Sequence, residues 1–175
     1  MLPINRLDSI NRLAPNLFTN NASVLYVGAR TDRFDLSVPL KNSNAQITVL
    51  EIFEPNIKYL KTLDFVHKVI HGDVRNVDTD IIYDNIIWWH GPEHIQKTEL
   101  AATLSKLEEI CKNIILLGCP WGIYKQGHLH NNPHEEHVSH YDGATFRELG
   151  YTVECLGEKN VQGSNITSIK YMETK

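Results

Sequence analysis

Cysteine is scarce in this chain. Cys111, Cys119 and Cys155 are the only three among 175 residues, an odd count with no paired spacing. That excludes a disulfide-stapled scaffold and leads us to expect reduced thiols in a cytoplasmic compartment. Long apolar runs are missing too: no stretch approaches the roughly 18 residues that a membrane span needs. The first residues, Met1-Leu2-Pro3-Ile4-Asn5-Arg6, lack the apolar core of a signal peptide, so no leader is expected. There is no excess of positive charge either. Seventeen Lys and Arg stand against 21 Asp and Glu, a formal net charge of −4. Nucleic acid is therefore disfavoured as a partner, because a phosphate backbone calls for a basic face.

What remains is an ordinary globular composition, 42% hydrophobic and 22% charged, which argues against disorder. The length suits a single domain over 1–175, with no linker or internal repeat. The unusual number is nine histidines, five of them between His128 and His140.

The element order follows from the apolar pattern. Ile4, Leu7, Ile10 and Leu13 recur every three residues and predict a short amphipathic helix over 3–14, within an N-terminal segment 1–20. Largely apolar runs at 23–28, 47–52, 83–89 and 113–119 predict strands of a parallel sheet, which are continuous rather than alternating, and 67–70 predicts a third, shorter strand. Helices are expected from Glu54-Pro55 to about Leu63 and from Thr98 to Lys112, the latter with Leu100, Leu104, Leu107 and Cys111 on one face. A long loop, 120–141, precedes a helix over 142–149 and two closing strands at about 151–157 and 165–172. Strands alternating with helices imply a doubly wound α/β domain with helices on both faces of a mostly parallel sheet, ending in an antiparallel pair.

In such sheets ligands bind beyond the carboxyl ends of the strands, and the unusual chemistry sits there. Gly28 allows a sharp turn or a close ligand approach. Glu51 ends an apolar strand, where a carboxylate needs a partner: a ribose diol, a helix cap or a salt bridge. Asp73 either caps a turn or accepts from an adenine amino group. Arg30, Arg33 and Arg75 lie in three loops at this edge, either solvated or binding an anionic group.

Trp88-Trp89-His90-Gly91-Pro92-Glu93-His94 offers an oriented His–Glu pair for general-base work, or simply core tryptophans and helix caps. The loop His128-x-His130-x-x-x-His134-Glu135-Glu136-His137-x-x-His140 holds imidazole and carboxylate, the donors of zinc, iron or nickel sites. Its spacing matches no closed metal site, and a lid lining a substrate pocket is expected in preference to a metal.

The ordered set of loops resembles the class I S-adenosylmethionine-dependent methyltransferases, from about Ser23 to Ile169. The resemblance rests on Val24-Leu25-Tyr26-Val27-Gly28, Val49-Leu50-Glu51-Ile52-Phe53-Glu54-Pro55, Gly72-Asp73-Val74 and Tyr83-Asp84-Asn85-Ile86-Ile87-Trp88-Trp89-His90. Gly91-Pro92-Glu93-His94, Cys119-Pro120-Trp121-Gly122 and Asn132-Pro133-x-Glu135-Glu136-His137 are similar to a poorly characterised bacterial and phage branch of that family.

The resemblance implies a Rossmann-like sheet of about seven strands with an antiparallel last strand, and S-adenosylmethionine as cofactor. It would place Gly28 at the methionine portion, Glu51 on the ribose, Ile52 against adenine, Asp73 at the adenine amino group with Val74 beside it, and His90 near the methyl. Where the family has two or three glycines, this chain has Gly28-Ala29-Arg30-Thr31-Asp32, and Tyr26 stands at the usual acidic place. Arg30 either fills cofactor space or pairs with the methionine carboxylate.

The expected activity is methyl transfer to a small-molecule or sugar-type acceptor bound under the 120–141 loop. His137, Glu93 and His94 are the candidate catalytic groups. The alternative is a non-catalytic module of the same fold that binds a nucleoside ligand or a protein partner. A metal-dependent enzyme centred on His128–His140 is a third reading. Oligomeric state stays open, a homodimer included.

Overall fold

The switch in strand order that creates a ligand crevice lies between the first and fourth strands. The computed structural model describes residues 5–30 and 36–173; Arg33, one of the candidate anion-binding arginines, lies outside the described residues. Seven strands form one sheet: β1 (Ser23–Val27), β2 (Gln46–Glu51), β3 (Val66–His71), β4 (Tyr83–Trp89), β5 (Cys111–Cys119), β6 (Thr152–Leu156) and β7 (Asn165–Tyr171). Their order is β3-β2-β1-β4-β5-β7-β6. The pairs among β1–β5 are parallel, and β7 runs antiparallel to both neighbours. The mostly parallel seven-stranded sheet and its antiparallel closing strand are as expected.

Period-two alternation sends successive side chains to opposite layers. Val24 and Tyr26 of β1 join one buried cluster with Ile10 of α1 (Arg6–Leu13), Leu40 of α2 (Ser37–Asn42) and Leu60 of α3 (Glu54–Leu60). Leu25 and Val27 join the other with Leu104 and Leu107 of α4 (Leu100–Glu109) and Phe146 of α5 (Gly143–Glu148). Apolar burial on both faces explains why the strands read as continuous apolar runs.

Several boundaries differ from the sequence expectations for local reasons. Helix α1 spans Arg6–Leu13, capped by Asn5, which accepts from the Asp8 N–H at 3.1 Å; Pro3 and Ile4 of the expected 3–14 helix lie outside the described residues. Helix α3 stops at Leu60, not Leu63, because the Thr62 hydroxyl donates to the Tyr59 carbonyl and closes a turn. Helix α4 ends at Glu109, and Cys111, expected on its apolar face, begins β5 instead, paired with Tyr83. The start of α4 is set by a reciprocal cap between Gln96 and Glu99, which precedes a single 3₁₀ turn. Helix α2 was not expected at all.

Phe146 is fully buried, its ring 5.3 Å from that of Tyr141, and it anchors α5 to the sheet. Phe146→Ala is expected to lower the unfolding free energy by about 3–5 kcal/mol. Urea titration checks this, with the denaturant dependence unchanged.

Candidate functional site

The strand ends converge on Glu51. Beyond β1, Gly28 has φ +67°, and among the described residues no atom outside its chain neighbours lies within 4 Å of where a side chain would begin. Its N–H donates to the Leu50 carbonyl at 2.9 Å. Arg30 also takes the left-handed conformation, φ +57°, one that a non-glycine residue adopts only at some cost. This turn aims the Arg30 N–H at Glu51 Oε2, 3.2 Å away, while the Phe53 N–H donates to Oε1 at 2.9 Å. Glu51 is only 3% exposed. Burial pushes its carboxyl above the ordinary range, and the two backbone donors only partly offset that.

Beyond β3, Asp73 caps the 3₁₀ turn Val74–Asn76 by accepting from the Arg75 N–H at 2.9 Å. Arg75 Nε reaches both Asp73 oxygens at 3.0 Å, and Arg75 also pairs with Glu99 at 3.0 Å. The Arg75 hydrogen bond holds the Asp73 carboxyl below its usual range. The capping role expected of Asp73 is therefore present, and Arg75 is committed to two carboxylates.

Beyond β4, the backbone turns tightly at His90, φ +52°. A Cβ on Gly91 would stand 1.8 Å from Trp88 Nε1, so only glycine fits there. Arg6 of α1 reaches His90 Nε2 at 3.0 Å and donates to the Gly163 carbonyl at 3.1 Å. A guanidinium only donates, so His90 Nε2 accepts and its Nδ1–H is directed to Glu93 Oε1 at 3.3 Å. Glu93 is 2% exposed. Burial works to raise its pKa, but the hydrogen bond from His90 and the neighbouring imidazoles outweigh it and hold the carboxyl below its ordinary value.

The 120–141 loop folds over this edge without forming a long helix. Its Val138 and Ser139 N–H groups donate to the Glu93 carbonyl at 3.0 and 3.1 Å, and the Ser139 hydroxyl donates to the Ile95 carbonyl at 2.6 Å. Of its five histidines, only His137 meets Glu93, with Nε2 4.0 Å from Oε1. Burial holds the His137 imidazole below its ordinary value, so it favours the neutral form. Glu135 reaches back across the edge, with Oε2 3.4 Å from Arg30 Nη1.

Two adjoining clefts result. One, with about 670 Å³ of open space, is lined by Gly28, Arg30, Glu51, Ile52, Asp73, Val74 and His90, all seven residues expected at a cofactor. The other, about 1090 Å³, is lined by Glu93, His94 and His137, the three expected at the acceptor. Gly28, Arg30, His90, His94 and Glu135 border both. Trp88 walls the first cleft and Trp89 the second, each also packed into its own core layer.

Sequence reasoning missed Arg6, Tyr124, Gln126 and the 161–164 turn, which also line the second cleft. Nothing in their local sequence marks them. The ion pair between Arg30 and Glu135 ties the loop to the sheet edge. Arg30→Ala is expected to speed amide hydrogen exchange over 132–137 about fivefold, the factor matching the ~1 kcal/mol of a partly exposed pair; exchange mass spectrometry measures it.

No protein-family model matches the chain, and no curated protein matches it in sequence. Solved structures do match its shape. They include magnesium protoporphyrin IX methyltransferase from Synechocystis PCC 6803 with bound S-adenosylmethionine (13% identity, 95% of this chain and 78% of that one, TM-score 0.64). The N-methyltransferase NodS from Bradyrhizobium japonicum WM9 matches at 11% identity over 97% of this chain and 95% of its own, TM-score 0.66. The DhpI complex with S-adenosylhomocysteine matches at 14% identity over 95% and 86%, TM-score 0.69. With β7 inserted antiparallel between β5 and β6, the chain has the class I S-adenosylmethionine-dependent methyltransferase fold.

Proposed function

We propose that this chain is an S-adenosylmethionine-dependent methyltransferase acting on a small-molecule or sugar-type acceptor. The observation that carries the reading is Glu51: a buried carboxylate that lines the first cleft, held by the Arg30 and Phe53 N–H groups and the Asn56 side chain. A carboxylate so placed at the end of a strand is the acceptor that a ribose diol meets. Structures of the same fold with S-adenosylmethionine or S-adenosylhomocysteine bound support the choice of ligand.

In this reading Ile52 and Val74 pack on adenine, and Asp73 accepts the adenine amino group on lone pairs that Arg75 does not use. The open space at Gly28 takes the methionine portion. Arg30, at the junction of the clefts, pairs with the methionine carboxylate. His90 stands beside the methyl. Both of its ring nitrogens are engaged, so it orients and does not take the acceptor's proton.

The cofactor supplies a methyl already activated by its sulfonium. The protein's task is then to align an acceptor lone pair behind that methyl and keep water out. The second cleft receives the acceptor, with Glu93, His94 and His137 as the groups that face it. His137 Nε2 and the Glu93 carboxylate present lone pairs on that side of the cleft.

Calorimetric titration of wild type and Glu51→Ala with S-adenosylmethionine and S-adenosylhomocysteine tests the reading. Micromolar binding is expected, weakened in the variant by about 1–3 kcal/mol, the scale of hydrogen bonds to a charged group. Absence of binding to both ligands at millimolar concentration would overturn it and favour the non-catalytic module.

A further inference from the structure

The second cleft brings three acceptor-bearing side chains together. One ligating atom from each of Glu93, His94 and His137 lies within 4.8 Å of the other two. His137 Nδ1 is 2.8 Å from the Tyr124 carbonyl, and His94 Nδ1 is 3.0 Å from the Glu136 carbonyl. A carbonyl only accepts, so each Nδ1 carries the hydrogen and each Nε2 presents a lone pair. The two imidazoles lie edge to face, centroids 5.0 Å apart.

The carboxylate repeats the pattern. Glu93 Oε1 takes the hydrogen bond from His90, while Oε2 is buried without a partner among the described residues. Burying such an oxygen unsatisfied costs about 1–3 kcal/mol, and more for a charged group. Two neutral imidazole lone pairs and a carboxylate, left facing one another, are a combination that a cation satisfies. Imidazoles whose Nδ1–H is fixed by a backbone carbonyl are also the usual arrangement behind a metal-bound Nε2.

We propose that Glu93, His94 and His137 bind a divalent transition-metal ion of the zinc class, with open coordination positions on the second cleft. The donor set, two imidazoles and one carboxylate, is that of catalytic zinc and related sites. Bonds of about 2.0–2.1 Å require ligand atoms about 3.4 Å apart, so the side chains draw inward by small rotations from their present spacing. His94 and His137 come from segments that the Val138 and Ser139 hydrogen bonds already hold together, so no loop has to move.

The site also narrows the acceptor, in a step that rests on the methyltransferase reading. A hydroxyl oxygen bound to the ion has its pKa lowered, and its proton leaves to water. The oxygen lone pair then forms the O–CH₃ bond as the C–S bond breaks, its electron pair staying on sulfur to give the thioether. The substrate class this favours is a hydroxylated small molecule able to ligate a metal through oxygen.

The test uses untagged, metal-stripped protein without any cofactor. Zn²⁺ titration by calorimetry and Co²⁺ titration by visible absorption are run on wild type, His94→Ala, His137→Ala and His128→Ala. One ion per chain is expected, with cobalt bands of low coordination number. The His94 and His137 variants are expected to bind more weakly by over a hundredfold, beyond the roughly 10–100-fold that loss of a supporting partner costs. His128, 60% exposed on the same loop, is expected to have no effect.

Circular dichroism and thermal unfolding establish that the variants fold. No binding by wild type, or binding that folded His94→Ala and His137→Ala retain, would overturn the proposal. Because no cofactor is present, failure here is separate from failure to bind S-adenosylmethionine.

Discussion

The carboxylate of Glu51 joins the loops after β1 and β2, and the shape of the first cleft depends on it. The N–H groups of Arg30 and Phe53 both point at it, so the left-handed turn at Arg30 and the exit from β2 are set by the same two oxygens. Burial keeps its pKa raised. For an acid this means that the folded state holds the proton more tightly than the unfolded state does. Its favourable contribution is full below the ordinary carboxylate range and is lost as pH climbs through the raised value. The carboxyl stands at the place where a ligand's hydroxyls would arrive.

The same logic recurs at Glu93 on the other side of His90. There a buried carboxylate faces two imidazole lone pairs. Two buried acids stand at the strand ends with His90 among them, itself hydrogen-bonded to Arg6 and Glu93. Polar groups that the core does not satisfy are sited at the strand ends, while the strands themselves bury apolar side chains in both layers. The sheet thus supplies stability, and its carboxyl edge accommodates the strain.

Much of this was legible in the residues. The run Tyr83–Trp89 is a strand end to end, with every side chain from Asn85 onward buried. Glu51 stood out as a charge terminating an apolar strand. Helix α2 was not legible: it has six residues and carries Pro39 inside it, which propensity counts against a helix. Helix α4 was overextended because its apolar spacing continues into Cys111, and only the pairing with Tyr83 turns that residue into a strand.

Of the histidines between His128 and His140, His137 is the one that joins Glu93 and His94, which follow β4, and those three residues were the candidate catalytic groups. Arg6, 84 residues from His90, could not be placed by any local pattern.

The two clefts draw on different parts of the chain. The first is lined mainly by the ends of β1–β4, whose backbone geometry is fixed by the sheet. The second shares the ends of β1 and β4 and takes its other walls from α1, the 120–141 loop and the 161–164 turn, which meet through contacts such as that of Arg6 with the Gly163 carbonyl. Surface segments tolerate substitution and insertion far better than sheet ends do. A lineage of such chains can therefore reshape the outer walls of the second cleft through three peripheral segments, while the strand ends common to both clefts keep their geometry.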